Sequence, residues 1–175
     1  MNLKDHIRSI PDYPKKGILF RDITTLIKNN DAFTHTIDEM ANRSKKFKVD
    51  KIAAMESRGF VFASALSYIL KKPFILLRKK NKLPAETHSV DFKLEYGTAT
   101  MEVHKDSIDN NDNVLLIDDL IATGGTAGAA AKLIELSNGN VSGFIFVINL
   151  FDLGGSNNLI KKGYKVEHLL NFPGH

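Results

Sequence analysis

Residues 114–126 (VLLIDDLIATGGT) contain, in order, a short apolar run, a pair of carboxylates and a turn with two glycines. The run at 114–117 contains only aliphatic residues, which predicts a strand buried on both faces of a parallel sheet. Residues 127–137 (AGAAAKLIELS) predict the helix that follows. A strand that leads into a helix through a short turn is typical of the α/β fold class.

The turn between the predicted strand and the predicted helix can bind an anion. Glycine lets the backbone approach a ligand closely, hydroxyl groups add donors, and a helix N-terminus adds positive potential. Asp118 and Asp119 precede the turn and can accept hydrogen bonds from neighbouring sugar hydroxyls. We therefore expect a site for a phosphorylated sugar. We call the residues of the turn the phosphate cage: Ala122, Thr123, Gly124, Gly125 and Thr126.

Two other phosphate-binding motifs do not fit this spacing. A P-loop requires a lysine directly after its last glycine, in the pattern G-x-x-x-x-G-K-[ST], whereas Thr126 follows Gly125 here. A dinucleotide-binding turn requires G-x-G-x-x-G, which is also missing. Both motifs are therefore excluded.

Composition limits the class of protein. With 175 residues and 43% apolar content the chain can bury one core, so we expect a single domain over residues 1–175. The net charge of +4 fits a small anionic substrate at least as well as nucleic acid. The absence of cysteine excludes thiol catalysis, zinc–thiolate sites and disulfides.

The N-terminal residues bear on localisation. Residues 1–13 (MNLKDHIRSIPDY) lack the unbroken apolar stretch of a signal peptide, and no run in the chain has the length of a membrane span. We therefore expect a soluble cytoplasmic protein with no membrane partner.

The pattern of apolar residues predicts alternating strands and helices. Such alternation favours a central parallel sheet flanked by helices. The flanks at 1–25 and 151–175 are then additions to this core. Strands are predicted at 51–55, 73–78, 114–117, 141–150 and 164–170, and helices at 31–47, 59–70 and 127–137, the first with Asp31 as its N-cap.

A polar insertion at residues 79–96 (KKNKLPAETHSVDFKLEY) separates two predicted strands. Loops of this length are usually functional or disordered, so a closing lid and a poorly ordered hairpin tip are the two alternatives. The cluster of Lys79, Lys80 and Lys82, together with Glu95, favours the lid.

Residues 118–126 resemble the segment of type I phosphoribosyltransferases that binds phosphoribosyl diphosphate (PRPP). Further blocks resemble the adenine phosphoribosyltransferases, in the same order along the chain. Together they cover nearly the whole sequence, whereas residues 171–175 match no functional motif. The blocks are GILFRDI at 17–23, ESRGF at 56–60, RK at 78–79 with KLP at 82–84, and LEYG at 94–97.

This resemblance implies a type I phosphoribosyltransferase fold. Its parts are a central parallel sheet flanked by helices, a small hood formed by the N-terminal segment 1–30 with the C-terminal segment, and a flexible catalytic loop at 79–97. The resemblance also implies a homodimer, in which Arg78 could reach the neighbouring site. A lid matters in this chemistry because an electron-deficient ribosyl carbon exposed to water would be hydrolysed.

The resemblance implies a reaction as well: the phosphoribosyl group passes from PRPP to adenine, giving AMP and diphosphate. The phosphate cage would hold the 5-phosphate, and Asp118 and Asp119 the ribose hydroxyls. Mg²⁺, held mainly by PRPP with no direct protein ligand, would serve as cofactor. Glu95, as proton acceptor, and Arg58 would be the catalytic residues. The diphosphate would be bound by Ser57, Arg58, Arg78, Lys79 and Lys82, and adenine by Leu19, Phe20 and Arg21.

Two other functions are compatible with parts of this pattern. A regulator that senses PRPP would keep the cage but would carry an additional nucleic-acid module, for which residues 1–25 are too short. Such a regulator would also not need Glu95. A phosphoribosyltransferase acting on hypoxanthine, guanine or xanthine would share the PRPP half of the site, because base choice depends on pocket geometry that the sequence does not reveal.

Overall fold

The computed structural model describes residues 1–94 and 96–174. Strands and helices alternate through most of this length, as predicted. The strands are β1 (Arg8–Pro11), β2 (Leu19–Asp22), β3 (Lys51–Met55), β4 (Phe74–Lys79), β5 (Thr87–Lys93), β6 (Thr98–His104), β7 (Asn113–Ile121), β8 (Asn140–Leu150) and β9 (Val166–Phe172). The helices are α1 (Thr24–Ile27), α2 (Asn30–Ser44), α3 (Arg58–Leu70), α4 (Gly125–Leu136) and α5 (Gly155–Lys161), with 3₁₀ turns at Leu3–His6 and Phe151–Leu153.

The central sheet has the strand order β5-β6-β4-β3-β7-β8-β9. The five strands from β4 to β9 in this order are parallel, which confirms the predicted α/β sheet with flanking helices. Strands β5 and β6 extend one edge as an antiparallel hairpin. Residues 87–93 of the segment 79–97, which was expected to be a loop, therefore form strand β5.

The apolar residues of β7 explain why the sheet lies at the centre. Alternate side chains of a strand point to opposite faces. Leu116 accordingly packs in the cluster with Leu133 and alanines of α4, whereas Leu115 and Ile117 pack in the cluster formed with α2 and α3. Helices cover both faces, so a continuous apolar run is what this strand requires.

The ends of helix α2 differ from the sequence prediction. The N-cap is Asn29, whose side chain accepts a hydrogen bond from the Ala32 N–H at 2.9 Å, so the prediction that Asp31 caps this helix is wrong. Asp31 lies inside the first turn, where a negative charge still complements the helix dipole.

The N-terminal residues pack against residues 171–174. Strands β1 and β2 form an antiparallel pair, and Leu3 and Ile7 beside them are buried in the core cluster of α2 and α3. The guanidinium carbon of Arg21 lies 4.7 Å from the centre of the Phe172 ring, and Lys4 Nζ lies 5.1 Å from it. We use the word hood for residues 1–23 together with 171–174.

Among the described residues, no helix combines the length and apolar character needed to cross a bilayer.

Candidate active site

A pocket of about 350 Å³ lies at the carboxyl ends of β3 and β7. Carboxyl ends of parallel strands meet at one edge of a sheet, which is where α/β proteins place ligands. We call this the strand-end pocket. It is lined by residues 56–58 and 118–127 with Lys93, Leu94 and Phe146. The structure thus brings the carboxylate pair and the phosphate cage together with the ESRGF turn, which lies far from them in the sequence.

The phosphate cage is shaped by one left-handed glycine. Gly124 has φ +89°, a conformation that residues with a Cβ rarely adopt, and α4 begins at the next residue. The Gly128 N–H donates to the Gly124 carbonyl oxygen at 2.9 Å, so the helix continues directly from the cage. The remaining N–H groups of the first helical turn are those available to an anion in the pocket.

The two carboxylates lie inside β7, rather than after the strand as predicted. Asp118 accepts a hydrogen bond from the Asp119 N–H at 2.8 Å. Asp119 Oδ2 accepts from Arg58 Nε at 2.5 Å. Both bonds hold the carboxylates at the floor of the pocket, next to the cage.

The two aspartates differ in their electrostatic surroundings. Asp118 keeps one edge open to the pocket, but protein atoms crowd the carboxyl group itself. This desolvation, with the nearby negative charge of Asp119, raises the pKa of Asp118 well above its ordinary value. The charge of Asp119 in turn raises the pKa of Arg58, which stays a cation. The site therefore combines a fixed positive charge with a carboxyl group that ionises at unusually high pH.

A glycine at the start of α3 allows Arg58 to reach Asp119. A Cβ atom on Gly59 would lie 2.9 Å from Asp118 Oδ1 and 3.2 Å from the Ile117 carbonyl oxygen, closer than packed atoms approach. Without that atom, the first turn of α3 packs directly on the end of β7. Ser57 precedes the helix and is joined to Glu56 by a cis peptide bond. This packing explains the glycine of the ESRGF block.

Of the five residues predicted to bind diphosphate, Arg78, Lys79 and Lys82 are not among the described residues that line the strand-end pocket. Glu56 Oε1 accepts hydrogen bonds from Arg78 Nε at 3.2 Å and from the Lys79 N–H at 2.7 Å. Arg78 and Lys79 line an adjoining cavity of about 260 Å³ that shares Glu56 with the pocket. Lys82 is exposed in the turn after β4. Only Ser57 and Arg58 reach the pocket itself.

The residues predicted to bind adenine lie in the hood. Leu19, Phe20 and Arg21 form β2, outside the lining of the strand-end pocket in the part of the chain that is described. The Phe20 ring packs edge-on against Tyr13, with ring centres 5.2 Å apart. The Arg21 guanidinium donates to Ser9 Oγ at 2.6 Å and to the Pro173 carbonyl oxygen at 3.1 Å. Its side chain therefore ties the hood together.

Glu95 lies outside the described residues, so its predicted role as proton acceptor stays a prediction. Lys93 and Leu94, which precede it, line the strand-end pocket. Leu94 was marked in the sequence only as the first residue of the LEYG block, and Lys93, at the end of β5 in a polar stretch, gave no signal of a site. Gly155, at the start of α5, packs against the cage.

The fold and the pocket define a phosphoribosyl transferase domain: residues 24–152 match the family model of that name. The chain is also 77% identical to the adenine phosphoribosyltransferase of Pelagibacter ubique over the full length of both proteins. The chain belongs to the adenine phosphoribosyltransferase family, which confirms the resemblance seen in the sequence.

Solved structures agree with this assignment. The adenine phosphoribosyltransferase of Thermoanaerobacter pseudethanolicus has a TM-score of 0.93 and 46% identity, covering 97% of this chain and 98% of that one. The Saccharomyces cerevisiae enzyme, in a complex with adenine and an imino-altritol bisphosphate, has a TM-score of 0.89 and 35% identity, covering 96% of each chain.

Proposed function

We propose that the chain transfers the 5-phosphoribosyl group of PRPP to adenine, forming AMP and diphosphate in purine salvage. The observation that carries this proposal is that one pocket gathers a carboxylate pair, a glycine cage at a helix start, and an arginine. These groups complement the ribose hydroxyls, the 5-phosphate and the diphosphate of PRPP. Membership of the family supports the same reaction.

In this proposal the phosphate cage binds the 5-phosphate and the carboxylates bind the ribose hydroxyls. With both ends of the phosphoribosyl group fixed, its anomeric carbon has one position relative to the incoming base. Arg58 is 54% exposed and contacts Asp119 through Nε, so its terminal nitrogens can bind diphosphate oxygens beside Ser57. Arg78, Lys79 and Lys82 would join them when the segment 79–97 closes over the substrate.

The reaction exchanges one bond at the anomeric carbon for another. A ring nitrogen of adenine forms the new bond, the bond to the diphosphate oxygen breaks, and the bonding electrons leave with diphosphate. The proton lost by the base goes to Glu95. The transition state resembles an oxocarbenium ion, and the configuration at the carbon inverts. The adjacent carboxylates stabilise its developing positive charge, and Arg58 stabilises the negative charge of the leaving group.

We further propose that Mg²⁺ takes part as a cofactor. It prefers oxygen ligands and commonly keeps substrate phosphates and water in its coordination shell. Asp118 and Asp119 place carboxylate oxygens beside the space for ribose and diphosphate, and this donor set fits an ion held mainly by PRPP. When bound, the ion neutralises charge on the diphosphate.

The hood is proposed to supply the adenine contacts. Phe20 offers a ring for stacking, while Leu19 and Arg21 offer backbone groups for the edge of the base. Because the Arg21 guanidinium is already bound to Ser9 and Pro173, we assign its adenine contact to the backbone. The adenine present in the Saccharomyces cerevisiae complex supports a base site in this family.

Two further properties belong to the proposal. We propose a homodimer, because Val61, Tyr68 and Ile69 of α3 are exposed and line an apolar groove between α2 and α3. We also propose a cytoplasmic location for this salvage reaction.

A competition assay tests the proposed reaction. The purified chain is incubated with PRPP, Mg²⁺ and equal concentrations of adenine, hypoxanthine, guanine and xanthine, and the nucleotides formed are identified by mass spectrometry. The proposal predicts AMP alone. Formation of IMP, GMP or XMP would overturn the base assignment, and the absence of any nucleotide despite PRPP binding would favour a PRPP sensor.

A further inference from the structure

The turn between β8 and α5 packs against the back of the phosphate cage. A Cβ atom on Gly155 would overlap the Ala122 carbonyl oxygen and lie 2.8 Å from both the Gly124 nitrogen and the Thr123 carbonyl carbon. All of these are backbone atoms, which cannot move aside as the end of a flexible side chain can. Gly155 is therefore required for the present shape of the cage.

A hydrogen bond joins the same two segments. The Gly155 N–H donates to the Ala122 carbonyl oxygen at 3.1 Å. In a trans peptide the C=O and N–H groups point in opposite directions, so this bond directs the Thr123 N–H away from Gly155. Thr123 lines the strand-end pocket on the other side.

We propose that Gly155 is a positioning residue for phosphate binding: its N–H and its missing side chain hold the Ala122–Thr123 peptide with the N–H toward the 5-phosphate. A rotated peptide would instead present a carbonyl oxygen, which repels an anion. The inference rests on the proposed function, because it assigns the cage to the 5-phosphate. It extends that function to a residue outside the strand-end pocket.

The turn is itself well anchored. Gly154 has φ +80°, which lets the chain reverse between the 3₁₀ turn and α5. The Gly174 N–H donates to Asp152 Oδ1 at 2.6 Å, so the C-terminal segment also fastens this turn. The support behind the cage is thus fixed from both sides, as a positioning role requires.

Gly155→Ala tests the proposal directly. Gly155 lies outside the left-handed region, so alanine fits its own backbone and the effect comes from the added methyl group. Loss of one hydrogen bond to a charged group predicts that the Kd of ribose 5-phosphate, measured by calorimetry, rises roughly 10- to 100-fold. The KM of PRPP should rise by a similar factor, while kcat and the KM of adenine change by less than about threefold.

Gly163→Ala is the matched control. Gly163 has φ +96° in the turn after α5, and a Cβ atom there would meet no other atom within 4 Å. Alanine should therefore lower the Tm through backbone strain yet leave the Kd of ribose 5-phosphate unchanged. Unchanged ribose 5-phosphate affinity in Gly155→Ala would overturn the proposal. So would a loss of affinity in both variants that merely follows their loss of Tm.

Hydrogen exchange in the unsubstituted chain covers the case in which Gly155→Ala does not fold. Exchange of the Gly155 N–H should slow when ribose 5-phosphate binds and stay the same with adenine; equal effects of the two ligands, or none, would contradict the proposal. Ribose 5-phosphate binding needs no catalysis. A chain that forms no AMP but loses ribose 5-phosphate affinity in Gly155→Ala would therefore overturn the proposed function and leave this inference standing.

Discussion

The strand-end pocket and the hood each contain an aspartate with a shifted pKa, and the shifts are opposite. In the hood, hydrogen bonds from Thr24 and Arg8 lower the pKa of Asp22 to about 2. In the pocket, desolvation and the charge of Asp119 raise the pKa of Asp118. The protein satisfies the first carboxylate with its own donors and leaves the second with too few.

This difference indicates what each region does. A carboxylate that accepts enough hydrogen bonds stabilises the fold, whereas one that lacks them reduces stability unless a ligand supplies donors. The hydroxyls of a ribose supply such donors. We therefore propose that the hood uses Asp22 to hold its own shape and that the strand-end pocket keeps Asp118 for substrate.

The largest expected effect separates chemistry from binding. If Glu95 accepts the proton of the base, Glu95→Gln should lower kcat about 100-fold or more, the usual scale for general base catalysis. Binding of PRPP, measured by calorimetry, should survive. Glu86→Gln is the control, because Glu86 is an exposed glutamate of the same segment. A fully active Glu95→Gln enzyme would remove Glu95 from the mechanism.

Asp118→Asn should weaken PRPP binding and stabilise the fold at the same time. Removing the charge should cost about 1.5 to 3 kcal/mol of interaction with PRPP. The pKa of Asp118 is higher in the folded state than in the unfolded state, so the protonated carboxyl group stabilises the fold. This stabilisation is fully present below the ordinary pKa of aspartate and is lost as pH rises through the folded-state pKa. The variant should therefore have a higher Tm than the unsubstituted chain above that pH, and the gain should vanish in acid.

Calorimetry with PRPP and thermal unfolding between pH 5 and 8 measure both effects. Unchanged PRPP affinity would show that Asp118 does not bind the ribose. A lower Tm at high pH would show that the carboxylate is well satisfied in the fold, and the contrast with Asp22 would fail.

Asp22→Asn should have the reverse pair of effects. Asp22 accepts hydrogen bonds from the Thr24 N–H at 2.9 Å and from Thr24 Oγ1 at 2.6 Å, and it pairs with the exposed Arg8. Loss of the charge should lower the free energy of unfolding by about 1 kcal/mol at neutral pH. Its pKa is lowered in the folded state, so this stabilisation is present above pH 3.8 and is lost as pH falls through about 2.

Urea unfolding at several pH values measures this difference, with PRPP affinity as the control. The gap between Asp22→Asn and the unsubstituted chain should shrink as the pH falls from about 4 toward 2. A variant that loses PRPP affinity instead of stability would place Asp22 in the binding site.

The smallest expected effect tests the link between the two parts of the hood, residues 1–23 and residues 171–174. Phe172→Leu removes the ring that lies under Arg21 and Lys4, contacts worth about 0.5 to 1 kcal/mol each at exposed sites. The KM of adenine should rise a few-fold and the KM of PRPP should not change. Phe151→Leu is the control, since Phe151 is a half-exposed ring of the neighbouring 3₁₀ turn. Equal changes in both variants would exclude a specific role for Phe172.

Sequence reasoning was most informative where the relevant residues are contiguous. The strand, carboxylates and cage follow one another at 114–126, and in the fold the carboxylates and the cage line one pocket; their binding roles stay a prediction. It failed where the relevant contact joins distant segments. Arg21 faces Phe172 across the hood, and Gly155 touches Ala122 from another turn, and neither contact leaves a periodic or spacing signal.

The polar insertion shows a second kind of limit. Its charge and length indicated a functional loop, whereas its alternating residues from Thr87 onward form β5 by pairing with β6. Strand formation of this kind depends on a partner strand as much as on intrinsic propensity. Arg78 similarly binds Glu56, a partner that sequence spacing could not identify.

Calorimetric titration of the unsubstituted chain with ribose 5-phosphate and Mg²⁺, in the absence of adenine, tests the central contrast most directly. The account predicts that ribose 5-phosphate binds by itself and that ribose without the phosphate binds far more weakly, because the strand-end pocket is formed without the base. Binding of ribose 5-phosphate only after adenine is added would contradict it, since the hood would then be needed to build the pocket.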